Sequence, residues 1–207
     1  MAAPRPVRRT QSERRASTQA ALLEATLRTL RELGYAKTTT TEIVARAGVS
    51  QGALFRYYPT KEALLSAAAT ELCSALFPRF RAAMRENKKG ADPVEQGIRG
   101  LWRVFKTDEV RVLHELYAAA PNEPGLKDAL VPVLVAHRDH TLDVAKELFP
   151  GLAASPMFEA AADLVLAAMT GAALMSLGEP DRKREEAFLE SLVGSTRVAL
   201  ALATSPA

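Results

Sequence analysis

The sequence predicts an all-α protein with an N-terminal helix-turn-helix, and three observations predict it. Apolar residues recur at spacings of three and four along nearly the whole chain. No segment sustains polar–apolar alternation, and no Asn-Gly or Asp-Gly hairpin turn occurs. Two short helical patterns meet at Gly48-Val49-Ser50, with starting and stopping residues where a tight turn needs them.

Taken in order, residues 1–12 hold Pro and Arg with few large apolar groups and read as a flexible basic arm. A first helix is predicted from Glu13 to Leu33, where Ala20, Leu23, Leu27 and Leu30 make one apolar face. Gly34 suits the residue that ends it. Thr39 as N-cap with Glu42 three residues on is a capping box, and Ile43 and Val44 supply the buried side of a short second helix that Gly48 stops. Ser50 caps a third helix from Gln51 to about Tyr58, Pro59 closes it, and Thr60 caps a fourth starting at Lys61. Asp92-Pro93-Val94-Glu95 opens a helix whose Val94, Ile98, Leu101, Trp102 and Phe105 share a face. Further helices run from Asp108 to Ala120, on to Phe149, from Ser155 to Gly178, and from Asp181 to Ala203. Pro78 and Pro132 each remove a backbone donor inside an apolar pattern, so kinks or breaks are expected there. The division that follows is an arm over 1–12, a helix-turn-helix domain over 13–60, and a helical body over 61–207, which the family resemblance set out below marks as an effector-binding and dimerisation domain.

Composition narrows the function. With 207 residues, 48% of them hydrophobic and 25% charged, the chain can bury a core and stay soluble. No apolar run reaches the roughly 18–20 residues of a membrane span, and no apolar stretch follows the basic N-terminus as in a signal peptide. No membrane partner is therefore expected. Cys73 is the only cysteine, which excludes an intrachain disulfide and a thiolate zinc site and suggests the reducing cytoplasm. Residues 1–62 carry 11 Lys and Arg against 5 Asp and Glu, whereas residues 63–207 carry 16 against 19. A basic head on a mildly acidic body points to a polyanion at the head.

In the helix-turn-helix, Ala45 is small enough for close helix packing, Val49 plugs the turn and Leu54 points inward. Gln51, Gly52, Ala53, Arg56 and Tyr57 are left outward at the start of the second helix, the part that reads base edges in a major groove. The run from Thr38 through Ala47-Gly48-Val49-Ser50-Gln51-Gly52-Ala53-Leu54-Phe55-Arg56-Tyr57-Tyr58-Pro59-Thr60-Lys61 to Leu65 resembles the DNA-binding domain of tetracycline-repressor-type (TetR) transcriptional regulators. The resemblance covers about Glu13 to Leu65. It implies an all-helical homodimer of about nine helices with a C-terminal small-molecule effector domain. It implies DNA contact by Thr39, Thr41, Ser50, Gln51, Gly52, Ala53, Arg56, Tyr57 and Lys61, with Lys61 on a phosphate. Phe55 stands where the family usually has Tyr, and Tyr57 where His is common. Arg56, at a variable position, is the candidate specificity residue, since Arg grips guanine bidentately.

After residue 65 there is no Gly-x-Ser-x-Gly, P-loop or His-Glu-x-x-His, so no enzyme, metal or cofactor is expected. His137 and His140 are spaced for a metal, but Arg138 and Asp139 between them favour a solvated face. His114 shares a helix face with Val110, Leu113 and Tyr117 and reads either as a satisfied core histidine or as a pocket residue. Trp102, Phe105, His114 and Tyr117 are the candidate effector contacts. The small-residue helix at 155–178 and the last helix, apolar on two faces, suggest a dimer contact through Leu164, Ala168, Leu192 and Val193. The function expected is a repressor that binds a palindromic DNA operator as a homodimer and is released by a small apolar or aromatic effector. A helical sequestering protein with a vestigial helix-turn-helix is the alternative, against which Gln51, Arg56, Lys61 and the basic head argue.

Overall fold

The computed structural model describes residues 10–85, 92–175 and 181–202. Among the described residues there are ten α-helices, one 3-10 turn and no strand. The helices are α1 (Gln11–Leu33), α2 (Thr40–Ala47), α3 (Gln51–Tyr57), α4 (Lys61–Arg85), α5 (Pro93–Phe105), α6 (Asp108–Ala119), α7 (Pro124–Leu148), α8 (Pro150–Ala153), α9 (Phe158–Met175) and α10 (Arg182–Leu202).

The first helix starts earlier than expected. Thr10 accepts the Glu13 N–H at 3.2 Å while Glu13 accepts the Thr10 N–H at 2.7 Å, a complete capping box within the residues expected to be a loose arm. The rest of that arm, residues 1–9, lies outside the described residues. At α2 only half of the expected box forms. Thr39 accepts from the Glu42 N–H, but the Glu42 carboxylate turns to Arg46 Nε at 2.7 Å. Gly48 takes φ 66°, the left-handed turn that lets α3 fold back on α2.

Pro78 and Pro132 sit inside α4 and α7, and neither ends its helix. Both prolines are exposed, as are Ser74 and Asp128 one turn upstream, so water can serve the carbonyls that lose a backbone partner. The short α8 was not anticipated. The stretch over 158–175 is also more apolar than the sequence reading allowed, since α9 is long and apolar enough to cross a membrane by length and composition alone. Its two carboxylates are nevertheless tied to α7, Glu159 by Lys146 at 2.6 Å and Asp163 by Arg138 at 2.5 Å.

Three apolar clusters hold the fold. Leu22, Ala25, Ile43, Leu54 and Leu64 form the head core. Leu30, Leu65, Leu72, Leu76, Val112, Leu116 and Leu126 belong to the larger body core. Consecutive residues of α4, Leu64 and Leu65, thus enter different cores, and both are fully buried. The third cluster joins α5, α9 and α10 through Ile98, Trp102, Val165, Met169, Leu189, Leu192 and Val193. Leu192 and Val193 are 7% and 4% exposed, so they cannot reach a second copy without leaving this core, which corrects their assignment to the dimer contact. Ala168 also packs against this cluster, whereas Leu164 is 51% exposed.

Candidate nucleic-acid interface and interior cavity

The head places its functional side chains by local capping. Ser50 accepts the Ala53 N–H at 3.1 Å, and this starts α3 at Gln51 with its first turn open to solvent. Thr39, Thr41, Ser50, Gln51, Gly52 and Arg56 are exposed, while Ala53, Tyr57 and Lys61 are half-buried. Gln51 donates to Thr40 Oγ1 at 2.9 Å, which fixes it across the α2–α3 turn. Lys61 Nζ lies 4.9 Å from the centre of the Tyr35 ring, so its charge is held at the start of α4 without an ion pair to a carboxylate among the described residues. Tyr58 packs into the head core, and burial raises its phenol pKa. Phe55 is 43% exposed, an aromatic without a polar tip on the reading side.

One part of this surface was not visible in the motif. Gln11, Ser12, Arg14, Arg15 and Thr18 of α1 form a cleft of about 530 Å³ with Arg56 and Tyr57 of α3. The Arg15 guanidinium stands 5.8 Å over the Tyr57 ring. Three cations thus converge from two helices whose approach only the fold reveals. The one sequence signal was the pair Arg14-Arg15 close behind the basic N-terminus.

In the body, a cavity of about 370 Å³ lies among α4, α5, α6, α7 and α9. Phe105, His114 and Tyr117 line it as expected. Trp102 does not. It is on the α5 face turned toward α10, with its ring 5.5 Å from that of Phe188. Positions three apart on a helix differ by only about 60° in direction, so Trp102 and Phe105 share a side of α5, and Phe105 sits at its edge, packed against both body clusters. His137, read as solvated, lines the cavity instead. Its ring is 5.2 Å from Phe77, and its Nδ1 is buried with no hydrogen-bond partner among the described residues. His140 also meets Phe77, edge-on at 4.2 Å, but is exposed.

Burial lowers the pKa of His114, and burial together with His140 lowers that of His137. Both imidazoles are therefore neutral hydrogen-bonding groups at neutral pH. Arg138 and Asp163 close on each other at 3.0 and 2.5 Å, so the lining carries no free charge. Tyr117 Oη sits 3.8 Å from Cys73 Sγ, and burial pushes the Cys73 thiol up to about 11. No group of three or more metal-ligating side chains occurs among the described residues.

Helix α6 spans the distance between cavity and head. It carries His114 and Tyr117 on the cavity side. From the same turns, Glu115 accepts the Tyr35 N–H at 2.9 Å and Arg111 donates to Arg31 O at 3.0 Å. Arg31 reaches Glu109 at 3.4 Å. Gly34 makes the approach possible: it adopts φ 74°, and a β-carbon there would lie 2.9 Å from Glu115 Oε2.

An all-helical protein with a helix-turn-helix reading head and a separate interior cavity is the class this geometry defines. Residues 22–68 match the model of the bacterial regulatory proteins of the tetR family. The chain is 30% identical over 197 residues to the HTH-type transcriptional regulator CymR of Pseudomonas putida, spanning 93% of this chain and 95% of the relative. It is 33% identical over 182 residues to an uncharacterized HTH-type transcriptional regulator of Mycobacterium tuberculosis, spanning 86% and 92%. Among solved structures, the multidrug binding protein EbrR superposes with a TM-score of 0.67 at 18% identity, covering 91% of this chain and 96% of that one. A transcriptional regulator of Rhodococcus sp. Rha1 does so at 0.63 and 22%, covering 91% and 99%. The chain belongs to the tetR family of bacterial regulatory proteins. Members of this family are DNA-binding transcriptional regulators, generally ligand-responsive repressors, and not enzymes.

Proposed function

We propose that this protein is a cytoplasmic homodimeric repressor that holds a palindromic operator through α3 and releases it when an uncharged aromatic effector fills the body cavity. The observation that carries this reading is α6, which lines the cavity with His114 and Tyr117 and holds the end of α1 with Glu115 and Arg111. An occupant that shifts α6 shifts the head with it. By linkage, effector and operator then weaken each other by the same factor. Helix α4, which starts at Lys61, shares this lever, since Leu64 enters the head core while Phe77 and Phe80 line the cavity.

At the operator, Arg56 and Gln51 read bases, and Lys61, with the Arg14–Arg15 cleft, holds phosphates. Two heads must meet successive major grooves, about 34 Å apart, which requires a dimer. The surface that suits it is the outer side of α9, where Ala160, Leu164, Ala167, Gly171 and Leu174 repeat at spacings of three and four and are all exposed. Next to it, α10 exposes Ala187, Ser191, Gly194, Ser195 and Val198. Small residues allow helices of two copies to approach closely.

The test is fluorescence anisotropy with duplexes from the region upstream of the gene for this chain. A palindrome bound at least a thousandfold more tightly than scrambled DNA at physiological salt is expected (about 10³ is the lower bound for specific recognition). Leu164→Glu is expected to sediment as a monomer and to lose operator binding while keeping its helical circular dichroism. Equal affinity for palindrome and scramble, or a wild-type protein that sediments as a monomer at micromolar concentration, would overturn the reading.

A further inference from the structure

A second cavity of about 100 Å³ adjoins the first, walled mainly by α5, α7, α9 and α10, with Phe80 of α4 and Leu152 of α8. Phe80, Leu101, Thr141 and Leu166 line both cavities, so these four side chains form a thin wall between them. The two chambers differ in chemistry. His114, His137 and Tyr117 all face the first. The second offers hydroxyls only from Thr141 and Thr196. Both already donate to backbone carbonyls, Thr141 to His137 O at 2.7 Å and Thr196 to Leu192 O at 2.8 Å. A polar atom placed there would lose its water and find no donor, whereas a methylene would lose only its apolar hydration.

We infer that the effector is an elongated amphiphile, with an uncharged hydrogen-bonding aromatic head in the first cavity and a short alkyl tail passing the Leu101–Leu166 wall into the second. This rests on the effector reading above and names the ligand class for it. The head is uncharged because Arg138 is already neutralised by Asp163 and the histidines are neutral. It carries a hydroxyl-like group because His137 Nδ1 is buried and unpaired. The tail is apolar because the second chamber is lined by apolar side chains apart from two hydroxyls whose protons are already committed. Leu101 and Leu166 carry rotatable side chains at this boundary, and rotamer changes there are the route by which the tail passes.

Trp102 gives this arrangement its own reporter. It lines neither cavity, but it packs in one cluster with Val94, Ile98 and Val165, all three of which line the inner chamber. A tail in that chamber shifts the emission of Trp102, while a head alone does not.

The experiment titrates the full-length protein with phenol and its 4-ethyl, 4-butyl, 4-hexyl and 4-octyl derivatives. Calorimetry gives Kd and Trp102 emission is followed in parallel. Affinity is expected to rise about fourfold per methylene until the inner chamber is full and then to level off. The emission shift is expected to begin with the alkylated members. Ala162→Leu, which fills the inner chamber, moves the preferred chain length down, and Val165→Ala, which enlarges it, moves it up; each variant is judged by its own ratio of long-chain to short-chain affinity. If short members bind but lengthening brings no gain, or brings gain with no Trp102 shift, the two-chamber inference fails and the aromatic effector stands. If no member binds, both fall together.

Discussion

The head and the body use arginine in opposite ways. In the body, Arg79, Arg99, Arg111, Arg138 and Arg197 are each closed on a carboxylate, and Arg103 donates to Ala83 O. In the head, Arg46 is held by Glu32 of α1 and Glu42 of α2. On the reading side, Arg14, Arg15 and Arg56 make no ion pair with any described residue, and Arg15 rests over an aromatic ring. Exposed pairs contribute little stability, at most about 1 kcal/mol each, so the body's pairs mainly keep its surface free of strong fields. The unpaired arginines keep theirs for an anion that arrives from outside.

The largest effects test whether head and body are separate at all. Leu54→Ala in the head core and Leu116→Ala in the body core each remove a fully buried side chain and are expected to cost about 2–5 kcal/mol. Because α4 sends Leu64 to one core and Leu65 to the other, both variants should lower a single calorimetric transition. Two transitions, with each variant moving only one, would show two independent units. Gly34→Ala comes next. Its φ of 74° with ψ of 173° is a region nearly closed to other residues, and the new methyl would meet Glu115. A loss of about 1–3 kcal/mol is expected, together with weaker coupling between effector and operator, read as a smaller change in operator Kd at saturating effector. Unchanged coupling would remove α6 from the mechanism.

Arg56 and Arg99 then make a matched pair of substitutions. Arg56→Ala is expected to lower preference for the operator over scrambled DNA by about 1–3 kcal/mol without moving the thermal midpoint. Arg99→Ala, which loses Glu95 and Glu186, is expected to lower the midpoint slightly and leave DNA affinity alone. The reverse pattern would invert the contrast between the two regions. The smallest effect is in pH. His114 and His137 have folded pKa values below the ordinary 6.5 or so, so the unfolded chain binds more protons between the folded and unfolded values. Their contribution is full above that ordinary value and lost as pH falls through the window below it. The thermal midpoint of wild type should therefore drop on going from neutral to mildly acidic buffer, and His137→Gln should flatten the drop.

What the sequence disclosed and what it hid separate along the same boundary. The head is written in local signals: a cap at Thr39, a left-handed glycine at Gly48, a cap at Ser50, and each acts on the backbone within four residues. Those signals survive without knowledge of the rest of the fold. In the body, periodicity shows that a helix has an apolar stripe but not which neighbour covers it. Leu192 and Val193 turned inward and Trp102 turned to α10 for that reason, while Leu164 stayed outside. His137 was misread because Arg138 and Asp139 beside it are polar. Yet Arg138 leans on Asp163 over the mouth of the cavity while His137 points in. The sequence predicts a kink or break at Pro132, yet α7 runs through it, and the exposure that lets water serve the freed carbonyl is not a property of local sequence.

Cys73 turns the interior into something that can be timed. It is the chain's only thiol, it is 4% exposed, and it touches Tyr117 at the edge of the larger interior cavity. With its pKa pushed up to about 11, the resting thiol is protonated and shielded, and alkylating reagents must wait for α4 and α6 to part. The rate of its modification is therefore a clock for the breathing of that seam, running in unlabelled native protein, and it should slow when the cavity is occupied.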